Sequence, residues 1–463
     1  MLRSQCDRLK HHKITDNIMR ISPRWANTIY LLVVIFIVGL SFRALAPQFS
    51  PNLNSDHAVH VMMTYDLQLP NDLYFWGQDR LGSLVPIVSH FALKLVPIAP
   101  VAMVGIVSYL VLLVAYCCFA SFFQGILSKL LLATAFFLPL RLYVEILHIS
   151  QPYAAQFACL GLSSVGVRWL LIHWATANRW RKNLGLVFTL AFMVASLWVS
   201  SFSIVYLVVL LGAIAHYIFI LTPSHERRQR YPLDISTGLA AGITGAFGLG
   251  FLKLAKASAS NSSDYTKLNS LAQFTDLLQR IGQNVLRNLR FEVHRIWMPL
   301  AVWCLVAIAG CSLYFIWRYR HNLFSAVSGA THQKGPLWPP TLWFGVWGLT
   351  AGLSMGILLI ANWVYQTDHI PQRYFVVIYG LCWLTVLSLV EILPKRPQLT
   401  LFVLLILFTG FSIKTLPPRL FSTPAQSPMV KQLEVLNTLG PAGFIGEYWH
   451  SYVLCSANPQ LFN

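Results

Sequence analysis

Apolar residues come in long blocks along this chain, separated by short polar joints. A helix crossing about 30 Å of hydrocarbon needs about 20 mostly apolar residues. Windows that meet this requirement begin near Trp25, Pro97, Ile126, Pro152, Leu184, Phe202, Ile235, Ile296, Pro339, Tyr374 and Leu399. The pattern therefore predicts an all-α polytopic membrane protein with about eleven transmembrane helices. Polar breaks over 147–153 and 198–201 leave that count open by one or two. The expected organisation is an N-terminal segment 1–24, a transmembrane domain 25–413, and a linker and short tail 414–463. Two long polar joints stand out inside the domain, a first loop at 47–96 and a second at 257–295.

Two amphipathic helices are expected in those loops. Ala58, Val61, Met62, Tyr65 and Leu69 recur at three- and four-residue steps, with Asn54 or Ser55 as cap and Asp56 in the first turn. In the second loop, Leu271, Phe274, Leu278, Ile281, Val285 and Leu289 share a stripe flanked by Arg280, Arg287 and Arg290. Both patterns suit helices lying in the membrane interface. The tail passes through a proline-rich spacer, LPPRLFSTPAQSP, to a helix-like segment over 429–439 and then GFIGEYWHSYVLC.

Composition agrees with a membrane protein: 56% of the 463 residues are hydrophobic and 11% are charged, against about a quarter charged in soluble domains. The formal charge of +18 rests on few ionisable residues, so it is concentrated in the joints. Basic clusters lie in the N-terminal segment, at Arg179, Arg181 and Lys182, at Arg227, Arg228 and Arg230, at Arg318 and Arg320, and at Lys395 and Arg396. Eleven crossings put all of them on one side, which predicts a cytoplasmic N-terminus and extracytoplasmic long loops. The basic balance suits anionic lipid headgroups or an anionic lipid-linked substrate. It does not suit nucleic acid, because no basic face belongs to a soluble domain. Eight cysteines without CxxC spacing fall mostly in apolar runs and read as small core residues.

Walker, GxSxG, HExxH and Rossmann patterns are absent, so the candidate chemistry lies in the loops. Asp56 could serve as a general base at the mouth of a membrane cavity, or simply complement a helix dipole. His57 and His60 beside it could bond a phosphate or tune Asp56, or be polar residues of the interface. In the block YFWGQDRLGS, Tyr74, Gln78 and Arg80 offer a ring face, an amide and a guanidinium, which suit sugar binding; aromatic residues also anchor at membrane interfaces. Arg373 and Tyr374 open the tenth span, where the guanidinium could clamp phosphate oxygens or snorkel. Glu145 and Arg141, four residues apart near the end of the third span, are costly to bury unpaired and read as a structural pair.

The run SDHAVH, followed by YFWGQDRLGSL, resembles the first periplasmic loop of bacterial GT-C-fold glycosyltransferases, the membrane enzymes related to protein O-mannosyltransferases. LWVSS around Trp198, PQRY at Pro371–Tyr374 and GEYWHSY in the tail are similar to further stretches of that superfamily. The resemblance implies a GT-C-like bundle and transfer of a sugar, with inversion, from a polyprenyl-phosphate-linked donor to a lipid, glycan or protein acceptor on the extracytoplasmic face of a bacterial inner membrane. It implies that Asp56 is the base, that Arg373 contacts phosphate and that Glu145 is the candidate for a second extracytoplasmic acid; with the residue readings above, the expected substrate-binding set is His60, Tyr74, Gln78, Arg80, Glu145, Arg373 and Tyr374. His57 directly after the acid, Arg80 in the glutamine block and the short C-terminal part depart from the family pattern. The expected partners are the lipid-linked donor, an acceptor the sequence does not identify and membrane lipids. No cofactor and no metal ligand set is expected, with a divalent metal left open. The alternatives are a transporter or flippase for lipid-linked saccharides and an inactive GT-C-like scaffold.

Overall fold

A computed structural model of the chain describes residues 23–47, 49, 53–76, 78–222, 231, 234–259, 267–293, 295–329, 340–365, 372–417, 420, 435, 438, 440, 441, 443 and 448–456. Among these residues the regular structure is helical, apart from two isolated antiparallel bridges, Tyr74 with Gly82 and Leu268 with Ala361. In chain order the helices are α1 (Pro23–Leu45), α2 (Ser55–Tyr65), α3 (Leu84–Leu93), α4 (Pro100–Ala120), α5 (Ile126–Phe137), α6 (Tyr153–His173), α7 (Arg179–Val199), α8 (Ser203–His216) and α9 (Ile235–Ala257). They continue as α10 (Leu271–Leu289), α11 (Trp297–Gly329), α12 (Pro340–Ile360), α13 (Val376–Ile392), α14 (Lys395–Thr415) and α15 (Tyr448–Cys455).

Ten helical stretches among the described residues are long and apolar enough to cross a membrane. The remaining predicted window is bent: α5 is followed by the 3₁₀ turn Arg141–Leu147 at 87° to it. Its 12-residue helix rises only about 18 Å at 1.5 Å per residue. The non-helical residues 138–140 can add about 10 Å, a combined length that suits one crossing. Contacts at both ends agree with this. At one end, Glu391 of α13 accepts hydrogen bonds from the Gln124 and Gly125 amides at 2.9 Å. At the other, the Arg141 amide donates to Thr415 Oγ1 at 3.1 Å, where α14 ends.

The centre of the bundle is built on α6 and α13, the most enclosed of the spans. Gly380 of α13 lies so close to the Phe157 ring of α6 that a Cβ there would overlap it. A glycine at this crossing lets two backbones approach, which is how helices gain packing where lipid removes the hydrophobic drive. Phe119, Phe136, Phe157 and Trp347 interlock around the crossing. Some polar atoms in this interior find each other: Ser164 Oγ and Tyr206 OH lie 2.6 Å apart, and Trp347 Nε1 donates to the same phenol oxygen at 3.3 Å. Unpaired, each would cost several kcal/mol in hydrocarbon.

Helix α2 is more enclosed than a helix resting only on a membrane surface. Ser55, His57, Ala58, Val59, His60, Val61, Met63 and Thr64 are buried, on more than one face. Val61 packs with the body of the bundle, while Val59 and Met63 pack with Phe75 and, from the tail, Tyr452 of α15. The expected stripe residues Tyr65 and Leu69 are exposed. Most of the helix expected over 429–439, and most of the residues just ahead of Tyr448, lie outside the described residues.

Candidate functional site

Three separate segments meet at one end of the bundle: the first turn of α2, the 3₁₀ turn Arg141–Leu147, and the turn Gln372–Phe375 that opens α13. Asn54 starts α2 as its N-cap, its side chain accepting the His57 amide at 3.1 Å. The cap fixes the register that puts Asp56 in the first turn. Asp56 is half-buried. Burial raises its carboxyl above the usual carboxylate range, the positive charge of Arg373 pulls it back, and the negative charge of Glu145 adds to the rise. The loop carboxylate, the guanidinium and the second acid therefore share one electrostatic environment.

Glu145 does not pair with Arg141. Its carboxylate lies 3.1 Å from His148 Nδ1. The reason is local geometry, because the segment winds as a 3₁₀ turn with Tyr143 at φ −116°, ψ 17°, so residues four apart no longer stack. The His148 ring stands edge-on to His57 at 5.1 Å between centroids. Burial drives the His57 imidazole well below its ordinary range, and the charges of His148 and His60 push the same way. His60 is buried one turn further on, with Nδ1 3.2 Å from the Asp56 carbonyl and its ring 5.2 Å from that of Phe75. Burial lowers it to about 4, against the pull of that carbonyl. Beside Asp56 the α2 imidazoles are thus neutral, and the fixed cation is Arg373. His148 had no place in the sequence reading; the Glu-x-x-His spacing at 145–148 was its only signal.

Arg373 donates to Tyr374 OH at 3.2 Å and lies over the Tyr374 ring, which meets Trp363 edge-on at 4.4 Å. Among the described residues no carboxylate comes within 4.0 Å of it. Its charge is felt at Asp56 and Glu145 without a closed ion pair, an arrangement suited to holding an anion between them.

The YFWGQDRLGS block forms a tight loop beside this cluster. The Phe75 amide donates to Leu81 O at 3.0 Å, Tyr74 bridges Gly82, and Leu81 takes the left-handed conformation at φ 63°. That region is costly for a leucine and persists only where surroundings impose it. The loop is seated on the end of α7: Trp198 Nε1 donates to Leu73 O at 2.9 Å and the Gly82 amide to Val199 O at 3.2 Å. A Cβ on Gly82 would lie 2.8 Å from the Trp198 ring and carbonyl, so only glycine fits. Tyr74 is enclosed in packing with Val61, Val85 and Trp198, and burial raises its phenol, helped by Asp79. Arg80 Nε donates to Gln78 Oε1 at 3.1 Å. His60, Tyr374 and Glu145 thus join Asp56 and Arg373, whereas Tyr74 is packing and Gln78 and Arg80 bond to each other nearby. Gly77 lies outside the described residues.

A small open cleft begins one helical turn from Asp56, lined by His60, Leu81, Gly82, Val85, Ile149–Pro152 and Ala155. Among the described residues no three His, Cys, Asp or Glu side chains converge as a metal-holding group.

No family profile matches the chain, and no curated protein matches it. Among solved structures it is similar to the archaeal oligosaccharyltransferase AglB from Archaeoglobus fulgidus, in complex with an inhibitory peptide and a dolichol-phosphate, at 12% identity and a TM-score of 0.44. The alignment covers 94% of this chain and 64% of that one. What stands on the coordinates is a multi-pass helical membrane protein with a charged cluster at one end.

Proposed function

We propose that the protein is a membrane glycosyltransferase that moves a sugar from a polyprenyl-phosphate-linked donor to an acceptor hydroxyl or amine at the extracytoplasmic surface. The observation that carries this reading is the convergence of Asp56, Glu145 and Arg373 from three distant stretches onto one site at the membrane boundary, with Arg373 unengaged by either acid within 4.0 Å. A polyprenyl carrier keeps its chain in lipid and its phosphate at the interface, so its enzyme needs a cation at that level and a base next to it.

In the proposed step Asp56 takes the proton of the acceptor as the acceptor's oxygen or nitrogen bonds to the anomeric carbon. The bond from that carbon to the phosphate oxygen breaks, its electron pair stays on the phosphate, and the sugar inverts. Arg373 stabilises the charge that grows on the departing phosphate. A carboxylate whose pKa is raised by burial is, once ionised, a better base than an exposed one. Glu145, held by His148, lies where it can orient sugar hydroxyls.

The test is a strain lacking the gene, complemented with wild type or with Asp56→Asn, and read by mass analysis of cell-envelope glycans. The expected result is a hexose- or pentose-sized mass lost in the deletion, restored by wild type and still missing with Asp56→Asn, although that variant accumulates in the membrane at the wild-type level. Full restoration by Asp56→Asn would remove Asp56 from the chemistry.

A further inference from the structure

Helix α10 is amphipathic, and only one edge of it is covered by protein. Leu277 is the one buried residue of the helix, and Ile281, half-buried beside it, packs against the main core. The adjacent row, Leu271, Leu278, Val285 and Leu286, is 78%, 42%, 38% and 49% exposed. The opposite side carries Gln279, Arg280, Gln283 and Arg287. The helix thus has three sectors: a protein edge, an apolar row and a polar back. Four large aliphatic side chains in one exposed row are not left in water.

Position and charge identify what covers the row. Helix α10 joins two membrane spans, α9 and α11, and is fastened at both ends. Asn269 N donates to Ile360 O at 2.8 Å and Asn362 N to Lys267 O at 3.0 Å, while Trp303 Nε1 donates to Leu289 O at 3.1 Å. Trp303 and Val306 lie on the exposed, lipid-facing side of α11, at 48% and 45% exposure, so the apolar row of α10 continues that surface. The segment 267–295 carries five Lys or Arg against two acids. Both acids are engaged, Asp276 with Arg280 at 2.7 Å and Glu292 with Arg290 at 3.9 Å. Exposed Lys267, Arg287 and Arg295 are left as net positive charge on the polar back of the helix and at its ends.

We propose that α10 is a membrane-seated anchor whose occupant is the anionic lipid surface: acyl chains under Leu271, Leu278 and Val285, lipid phosphates against Arg287 and its neighbouring cations. A surface helix of this composition gains from both apolar burial and attraction to acidic headgroups. The inference is independent of the proposed transferase activity.

The test places photoreactive benzoylphenylalanine at Leu278, at Val285 or, as control, at Gln283 in the full-length protein. The samples are reconstituted in nanodiscs of phosphatidylcholine alone or of phosphatidylcholine with phosphatidylglycerol. Lipid adducts are expected at Leu278 and Val285 and not at Gln283, with a higher yield in the acidic nanodiscs. Arg287→Glu is expected to lower the adducted-to-free ratio about fivefold or more in acidic nanodiscs and to leave it unchanged in phosphatidylcholine. Its melting curve in detergent should match that of the parent, because Arg287 is exposed. A protein–protein adduct at Leu278 would replace lipid with a second copy as the occupant. Absence of any adduct, or equal yields in both lipids with no effect of Arg287→Glu, would overturn the proposal or its electrostatic half, respectively.

Discussion

Asp56 must be ionised to take a proton, so the direction of its shift sets the direction of a pH effect. Burial places its carboxyl above the ordinary carboxylate range. Transfer should therefore fall on the acid side at a pH above the ordinary carboxylate range. The neighbours fix the sign of two further shifts. Glu145→Gln removes a negative charge and should move that acid limb to lower pH; Arg373→Gln removes the compensating positive charge and should move it to higher pH. Arg373→Gln should also lower the rate by about 10²–10³, the scale on which one preorganised donor acts on a departing anion. Rate profiles of the three proteins on one donor check both signs, and limbs moving in the same direction would show that these charges do not act on the base. His60 gives a stability effect of its own. Its imidazole is held neutral, down to about 4 from 6.5, so its contribution is complete above 6.5 and is lost as pH falls through that interval. The loss at full protonation is on the order of 3 kcal/mol. His60→Gln should flatten the decline in melting temperature between neutral pH and pH ~4, whereas an unchanged decline would assign the acid sensitivity elsewhere.

At the scale of elements, the first loop holds its shape through a residue far away in sequence. Trp198 supplies an N–H to Leu73 and a ring face to Gly82, and it is 6% exposed. Trp198→Ala should cost about 3 kcal/mol or more through the cavity it leaves. Trp198→Phe should cost about 1 kcal/mol, chiefly the lost hydrogen bond. If the seat positions the site, both should lower transfer by more than they lower the amount of folded protein, measured by activity per folded molecule in detergent; equal losses would make Trp198 a packing residue only. The same elements mark what the chain discloses by itself. Crossing helices are legible because a bilayer demands some 20 apolar residues in a row, and the start of α2 is legible because Asn54 is a local cap. The 87° break after α5 is hidden in an apolar run that reads as one span. Likewise, the pairing of Glu145 with His148 instead of Arg141 depends on a 3₁₀ winding that residue spacing does not encode. The His57 ring meets His148 and the His60 ring meets Phe75, each from a different element of the chain, and no local pattern carries those contacts.

For the whole molecule, the contacts fix which ends of the spans lie together. Glu391 bonded to Gln124 and Gly125 marks one end, shared by the starts of α5 and α14 and the finish of α13. The Arg141–Thr415 bond, Gly82 on Val199, and Asn269 on Ile360 belong to the other end, with α2, α10 and α15. Following the chain through the bent α5 as a single crossing puts Arg179, Arg181, Lys182, Arg318, Arg320, Lys395 and Arg396 all at the end opposite Asp56. Basic residues in short connections stay in the cytoplasm, so the Asp56 end is expected to face outward. Ser55 is a poor reporter of this, because it is fully buried. Leu69 and Ser270 are exposed on the Asp56 end, and Arg181 is exposed on the other. Single cysteines introduced as Leu69→Cys and Ser270→Cys should react in intact cells with a membrane-impermeant maleimide, and Arg181→Cys only after the membrane is opened. Counting α5 and its turn as a re-entrant loop would instead put Leu69 and Ser270 on opposite sides, because α5 lies between them in the chain. Labelling of one without the other would therefore break the eleven-crossing topology and, with it, the placement of a shared site built from the first loop and the turn that opens α13.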